Sequence, residues 1–203
     1  MTAQQLTRRR SETGKAGPAS AQSPKRLWSA DELIADLFEA MHDLRFLQNV
    51  HEGAEFVLAL VLERFLSDAG MVHLYDINRR EFVISRAVGP NAQMVLGGRT
   101  AERDPLVTET MKRRRPFAFD ARRDARVRAG RWAALGAAPQ TILASAVEQG
   151  GRSLGIIEIA NPQGRDFYGQ PEMDAMAYVA EQFADFLSSC GLVFSRDSKP
   201  PPK

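Results

Sequence analysis

Gly150-Gly151 lies between two β-rich apolar runs, QTILASAVEQ (140 to 149) and RSLGIIEIAN (152 to 161), and this arrangement narrows the possible folds more than any other feature. Two consecutive glycines supply the positive φ angles of a tight hairpin turn, so the flanking runs must be antiparallel neighbours. A parallel pair would need a crossover of about a dozen residues or more. A second hairpin is read upstream, where MVHLYDI (71 to 77) and EFVISRAV (81 to 88) are joined by Asn78-Arg79-Arg80. Between the hairpins, residues 89 to 139 hold a Gly-containing stretch, a short helix near Leu106 to Arg114, a short strand PFAFD (116 to 120) and an Arg-rich loop or helical turn running to Trp132. Hairpins around one irregular crossover predict an α+β domain with a mostly antiparallel sheet.

Helices flank the strands. Ser29 followed by Glu32 is a capping signature ahead of Leu33, Leu37, Ala40, Leu44 and Leu47, a heptad-like stripe widened by Ile34, Phe38 and Met41. A second helix, His51 to Leu66, is apolar on most sides and reads as buried. The last, Pro171 to Cys190, has Pro in its first turn and Glu172 and Asp174 near the positive end of its dipole. Its stripe is Met173, Met176, Ala180, Phe183, Leu187 and Cys190, with Val179 and Phe186 as a second set. The terminal helices are expected on one sheet face and residues 89 to 139 on the other. The stripes have two readings. In one they only cover the sheet; in the other Leu33, Leu37, Leu44, Met176, Phe183 and Leu187 form the interface of a homodimer, which is the expectation taken forward.

A chain of 203 residues with 44% hydrophobic content suits one domain with a substantial core. Residues 29 to 194 are assigned to it. Residues 1 to 28 and 195 to 203 offer almost nothing to bury and are read as disordered tails. The tails carry about +5 and +2, which leaves the body near −5 against an overall +2. Specific nucleic-acid binding by the core is therefore not expected, although basic tails attract any polyanion weakly. No apolar run reaches the ~18 to 20 residues of a membrane span, and no signal peptide precedes the domain, so a cytoplasmic protein is expected. Cys190 is the single cysteine, and His42, His51 and His73 are scattered, so no disulfide or metal-ligand spacing exists and no cofactor is expected.

Three stretches together resemble the GAF domain, a module of bacterial-type signalling that senses small molecules or meets protein partners. They are TILASAVEQGGRSLGIIEIAN, RRPFAFDARRDARV and GIIEIANPQGRDFYGQPEMDAM, and the likeness runs from about Asp31 to Ser189. It implies a GAF/PAS-like antiparallel sheet in a stand-alone signalling domain. In the cyclic-nucleotide-binding members, an Asn-Lys, a Phe and an Asp-Glu brace the loop beside the pocket, the Lys and Asp as an ion pair. Here Asn161, Phe167 and Glu172 match, but Pro162 and Pro171 stand where the paired residues would be. The stretch then reads as a fold-stabilising corner: Asn161 ends the strand, Phe167 packs under the loop, and Pro171-Glu172 opens the helix. Members that attach a bilin or reduce methionine sulfoxide need cysteines that residues 89 to 139 lack.

The crossover arginines (Arg113, Arg114, Arg115, Arg122, Arg123, Arg126, Arg128, Arg131) interleave with Phe117, Phe119 and Trp132. One or two pointing inward would pair a small carboxylate or phosphate while an aromatic stacks on a ring. Otherwise they are a solvated surface on which Asp120 and Asp124 pair some of them. Glu158, sharing a face with Ile156 and Ala160, is read as paired to a crossover arginine, with pocket acceptor as the alternative. The ligand-pocket candidates are Phe117, Phe119, Asp120, Arg122, Asp124, Trp132 and Glu158. The expected role is a non-catalytic signalling domain taking a small anionic or aromatic ligand, a signalling-protein partner, or both. The rival is the same fold with a filled pocket, serving as an interaction or polyanion-tethering scaffold. An open cavity or one plugged by groups such as Phe117, Phe119, Met94 and Trp132 separates the two.

Overall fold

The computed structural model describes residues 29–125 and 130–190. The expected disordered tails, and Arg126 and Arg128 of the crossover, lie outside the described residues. In chain order the elements are α1 (Ala30–Met41), a 3-10 turn (His42–Phe46), α2 (Val50–Arg64), β1 (Ser67–Asp76), β2 (Glu81–Val88), α3 (Ala92–Val95), β3 (Arg99–Ala101), α4 (Pro105–Arg113), β4 (Phe117–Asp120), a 3-10 turn (Ala121–Arg123), α5 (Arg131–Ala134), β5 (Thr141–Gln149), β6 (Arg152–Pro162) and α6 (Gln170–Ser189).

The six strands form one antiparallel sheet in the order β3-β2-β1-β6-β5-β4. Both hairpins lie where the sequence puts them, and Gly150 (φ 57°) and Gly151 (φ 77°) take the left-handed angles that the second demands. β1 starts four residues earlier than its apolar run suggests. β3 is a three-residue strand with no periodicity to announce it. β1 and β2 slip by one residue at Val72/His73, which skips Ser85 and leaves both Ser85 and Arg86 toward α2. Ser85 Oγ meets His51 Nδ1 at 2.9 Å, and Arg86 Nε donates to Glu55 Oε2 at 3.0 Å.

On the back face α1, α2 and α6 pack on Val72, Leu74, Leu143, Val147, Ile157 and Ile159. The Ser29–Glu32 capping box opens α1 as its spacing predicts. Gly70 lets α2 come close, since a Cβ there would lie 2.9 Å from Leu58 Cδ1. The structure corrects the interface expectation. Leu33, Leu37, Leu44, Met176, Phe183 and Leu187 are all buried in this core and present no surface to a second copy. Each such side chain removed from water contributes roughly 1.5–3 kcal/mol. Beside this helical layer Phe38 (65% exposed) and Phe46 (69%) are left outside, with half-buried Tyr178 beside Phe38 at 6.3 Å between ring centroids.

On the front face Ala69, Met71, Ile84, Ile142, Ala144 and Ala160 lie under a cover of Val95, Leu106, Trp132 and Leu135. This crossover layer, opposite the terminal helices, forms one wall of the candidate site.

Candidate functional site

Glu158 lies mid-strand in β6, opposite Met71 of β1 on one side and Ala144 of β5 on the other, and is wholly buried on the front face. A carboxylate there must find a cation. Arg131, at the start of α5, supplies it by a two-point clamp: Nε donates to Oε2 at 3.0 Å and Nη2 donates to Oε1. Its remaining nitrogen, Nη1, donates to Asp104 Oδ1 at 3.0 Å. Asp104 also caps α4, accepting from the amides of Leu106 and Val107 at 3.0 and 3.1 Å. One guanidinium thereby ties the cover to the middle of the sheet and to α4. His73 Nε2 lies 3.7 Å from Glu158 Oε2. Among the described residues neither ring nitrogen of His73, nor Trp132 Nε1, has a hydrogen-bond partner.

Burial by itself pushes the Glu158 carboxyl up, but the Arg131 charge, then His73 and the Arg131 hydrogen bonds, hold it down at about 2. Burial likewise works against the Arg131 cation, and Glu158 and Asp104 outweigh it, so its pKa is raised. Both carboxylate oxygens are occupied and the carboxylate stays ionised, which leaves Glu158 unsuited to proton transfer near neutral pH. Arg131, with each of its three nitrogens bonded to Glu158 or Asp104, is no open anion receptor.

The sequence candidates divide into two groups. Trp132 and Glu158 share the buried front layer, joined through Arg131, and the pairing of Glu158 with a crossover arginine is as expected. The others come from β4 and the turn after it, where Phe117 is buried at the margin of the same front-layer cluster as Trp132 and Phe119 packs against it half-buried. Phe117 and Phe119 stack on each other at 5.8 Å, with the Arg113 guanidinium 4.7 Å from the Phe117 ring. Asp120 binds Arg122 through Nε at 2.8 Å and Nη2 at 3.1 Å, and the Arg122 bonds above all hold its carboxyl below the usual range. Arg123 approaches the same carboxylate at 3.3 Å. Asp124 ends that turn, half-buried. Met94 is 80% exposed and plugs nothing; Trp132 and Leu135, both fully buried, are the part of the cover that packs onto the sheet. Asp104 went unread in the sequence, although Asp followed by Pro105 is an N-cap signature.

A separate cleft of about 1250 Å³ opens between α4, the far ends of β1 and β2, and the β5–β6 hairpin. Its apolar lining includes Tyr75, Phe82, Met111 and Leu154, and Lys112 and Arg152 stand on it exposed. Tyr75 donates its hydroxyl to Glu102, which also accepts from Arg80 at 3.1 Å. Burial first, and then that bond, raises the Tyr75 pKa.

The corner after β6 is braced by another pair than the resemblance implies. Arg165 binds Glu172 and donates to the Phe65 carbonyl at 3.3 Å, while Glu172 accepts from the Gly169 amide at 2.8 Å. Asn161, at φ 59°, accepts from the Gln140 amide at 2.8 Å. Phe167 does not pack under the loop; it is 46% exposed. Tyr168 takes the buried place because its hydroxyl reaches Ser67 Oγ at 2.8 Å, a partner that a Phe cannot use.

No family model and no curated protein matches the sequence. Solved structures do. A GAF domain from a phosphoenolpyruvate-protein phosphotransferase of Coxiella burnetii is 18% identical, with a TM-score of 0.69 over 80% of this chain and 96% of that one. The GAF domain of an Acinetobacter phosphoenolpyruvate-protein phosphotransferase is 15% identical, with a TM-score of 0.67 over 81% and 97%. Free methionine-R-sulfoxide reductase from Neisseria meningitidis, solved with its substrate, is 12% identical, with a TM-score of 0.62 over 79% and 89%. The chain has the GAF-like α+β fold.

Proposed function

We propose that the chain is a non-catalytic signalling module of GAF fold that works by contact with a partner macromolecule. The observation that carries this reading is the filled front layer: Trp132 and Leu135 occupy the space over Met71 and Ile142, and the Arg131–Glu158 clamp closes it. A small molecule bound beside Glu158 would have to displace a fully buried Trp and break a buried ion pair. Two of the neighbours above are domains of phosphotransferases, which favours a regulatory setting. The reductase neighbour weighs little toward catalysis, since this chain holds one cysteine, partly exposed at the end of α6. Among the described residues no group of His, Cys, Asp and Glu is placed to hold a metal, and no helix is long and apolar enough to cross a membrane.

Native mass spectrometry of freshly purified protein, with a thermal-shift panel of nucleotides, small carboxylates and aromatic acids, tests the reading. The expected result is the bare chain mass and no stabilisation. A ligand at 100 times its Kd would add about 2.7 kcal/mol, and such a gain abolished by Trp132→Ala would overturn the filled-layer argument.

The cleft beside α4 favours a second reading, a small amphipathic anion with its ring on Tyr75 and Phe82 and its charge toward Lys112 or Arg152. Stabilisation lost in Lys112→Glu and kept in Trp132→Phe would select it. A homodimer through the helical face would use exposed Phe38 and Phe46 with half-buried Tyr178.

A further inference from the structure

We infer that the free edge of β4 is a docking strand for an extended acidic peptide segment of another protein, an inference that rests on the partner-contact reading above. β4 ends the sheet order, so among the described residues one side of it has no neighbouring strand. The Ala121 amide donates to the Gln140 carbonyl in line with the β4–β5 register. By strand alternation the main-chain groups of Phe117 and Phe119 face β5, and those of Ala118 and Asp120 face outward. An incoming strand would find these two donors and two acceptors without a main-chain partner among the described residues.

Two further features select the occupant. Beside the edge, a groove of about 410 Å³ runs between β4 and α6, with Pro116, Ala118, Met173 and Ala177 among its lining. The inward side chains of an added strand would rest there, and those side chains are apolar. The approach is cationic. Arg115 lines the groove and Arg114 precedes it in the chain; both are exposed and make no ion pair among the described residues, whereas Arg113 is taken by Glu109, Arg122 and Arg123 by Asp120, and the one acid on the groove's lining, Asp174, accepts from Gln170. Edge strands commonly carry charge against self-pairing, and here the like charge opposes a second copy while attracting an acidic segment. The chain's own termini carry net positive charge and are not complementary. A nucleic acid would answer the charge but leave the apolar groove unused.

The test uses the full-length chain and a fluorescein-labelled octapeptide of alternating Glu and Val. An alternating Lys–Val peptide, an all-Glu octapeptide and a short single-stranded oligonucleotide serve as controls. Saturable anisotropy is expected for the Glu–Val peptide alone. Hydrogen exchange should slow by roughly tenfold at the Ala118 and Asp120 amides, while those of Phe117 and Phe119, already bonded to β5, stay unchanged. Reversing Arg114 and Arg115 to Glu should weaken binding by roughly tenfold or more, because two exposed attractions become repulsions. Ala118→Pro removes one outward donor and should do the same; should it fail to fold, the exchange pattern and the charge variant still decide. The proposal is overturned by no binding, by protection that maps elsewhere, or by all-Glu peptide or oligonucleotide binding as tightly. Self-association of the chain abolished by Ala118→Pro would also overturn it, making a second copy the occupant. In each of these cases the module reading stands; a retained small molecule beneath Trp132 would sink that reading separately.

Discussion

Replacing Arg131 by Leu would leave the Glu158 carboxylate buried on the front face without its clamp, with His73 Nε2 3.7 Å away. The size of the loss follows from two independent routes. Breaking one partner of a buried ion pair typically destabilises by about 3–5 kcal/mol. A carboxyl held at about 2 against its ordinary 4.5 contributes about 3 kcal/mol at neutral pH, at about 1.4 kcal/mol per tenfold in protonation. The routes agree, and Arg131→Leu is expected to lose about 3–5 kcal/mol in urea unfolding followed by circular dichroism at pH 7. The folded pKa is depressed, so this contribution is complete above the unfolded value of 4.5 and is lost as pH falls from 4.5 toward 2. Over that window the unfolded chain binds the proton first, so the wild type should lose stability on acidification. Glu158→Gln should lack that share of the slope. The double variant Arg131→Leu/Glu158→Leu should recover much of the loss, since Met71 and Ala144 offer an apolar surround. A loss below about 1 kcal/mol for Arg131→Leu, or strict additivity in the double variant, would refute the buried-clamp argument.

Trp132→Ala empties the cover and should lose about 3–5 kcal/mol, whereas Trp132→Phe should lose far less than that, because the indole N–H has no partner among the described residues; paired denaturant melts compare them. Tyr168→Phe removes the bond to Ser67 and should lose about 1 kcal/mol in the same melts, while Phe167→Ala should move stability by less than about 0.5 kcal/mol. Gly155→Ala would put a Cβ 2.3 Å from the His73 carbonyl oxygen, and a loss of at least about 1–3 kcal/mol is expected as β1 and β6 part. In sedimentation runs Phe38→Glu should turn any dimer into monomer at unchanged Tm, while Leu37→Ala should lose about 2–5 kcal/mol of folding stability.

Much of the fold was legible because its strongest signals are local. The Gly150-Gly151 turn fixes one hairpin, and the Ser29–Glu32 spacing opens α1. β3 was not legible, since Arg99–Ala101 is too short for alternation and forms only because β2 offers an edge. The site was partly legible. That Glu158 needs a cation follows from its place on an apolar strand, but ten Lys and Arg compete between 103 and 131, and composition does not rank them. Arg131 wins through position: it opens α5 directly over Glu158 and next to Trp132, which packs down against the sheet. The exchange of Phe167 for Tyr168 has the same origin. Two adjacent aromatics differ only in a hydroxyl, and the partner that decides between them, Ser67, lies 101 residues away.

The helix stripes fail as interface predictors for a physical reason. A helix that covers a sheet and a helix that meets a second copy both need apolar side chains at steps of three and four, so the spacing is silent about which surface is met. The second apolar set carries the distinction. On α6 that set, Val179 and Phe186, is buried along with Met176, Ala180, Phe183 and Leu187, so this face of α6 is spent on the chain's own core, while Met173, Ala177 and Tyr178 reach the surface. On α1 the set divides: Met41 is buried, Ile34 is half-buried and Phe38 stands out beside Tyr178. The 3-10 turn that ends α1 also turns Leu44 inward and Phe46 out. What remains is a small aromatic patch where a continuous apolar seam would be needed for an obligate dimer, and contact through it alone should be weak and reversible.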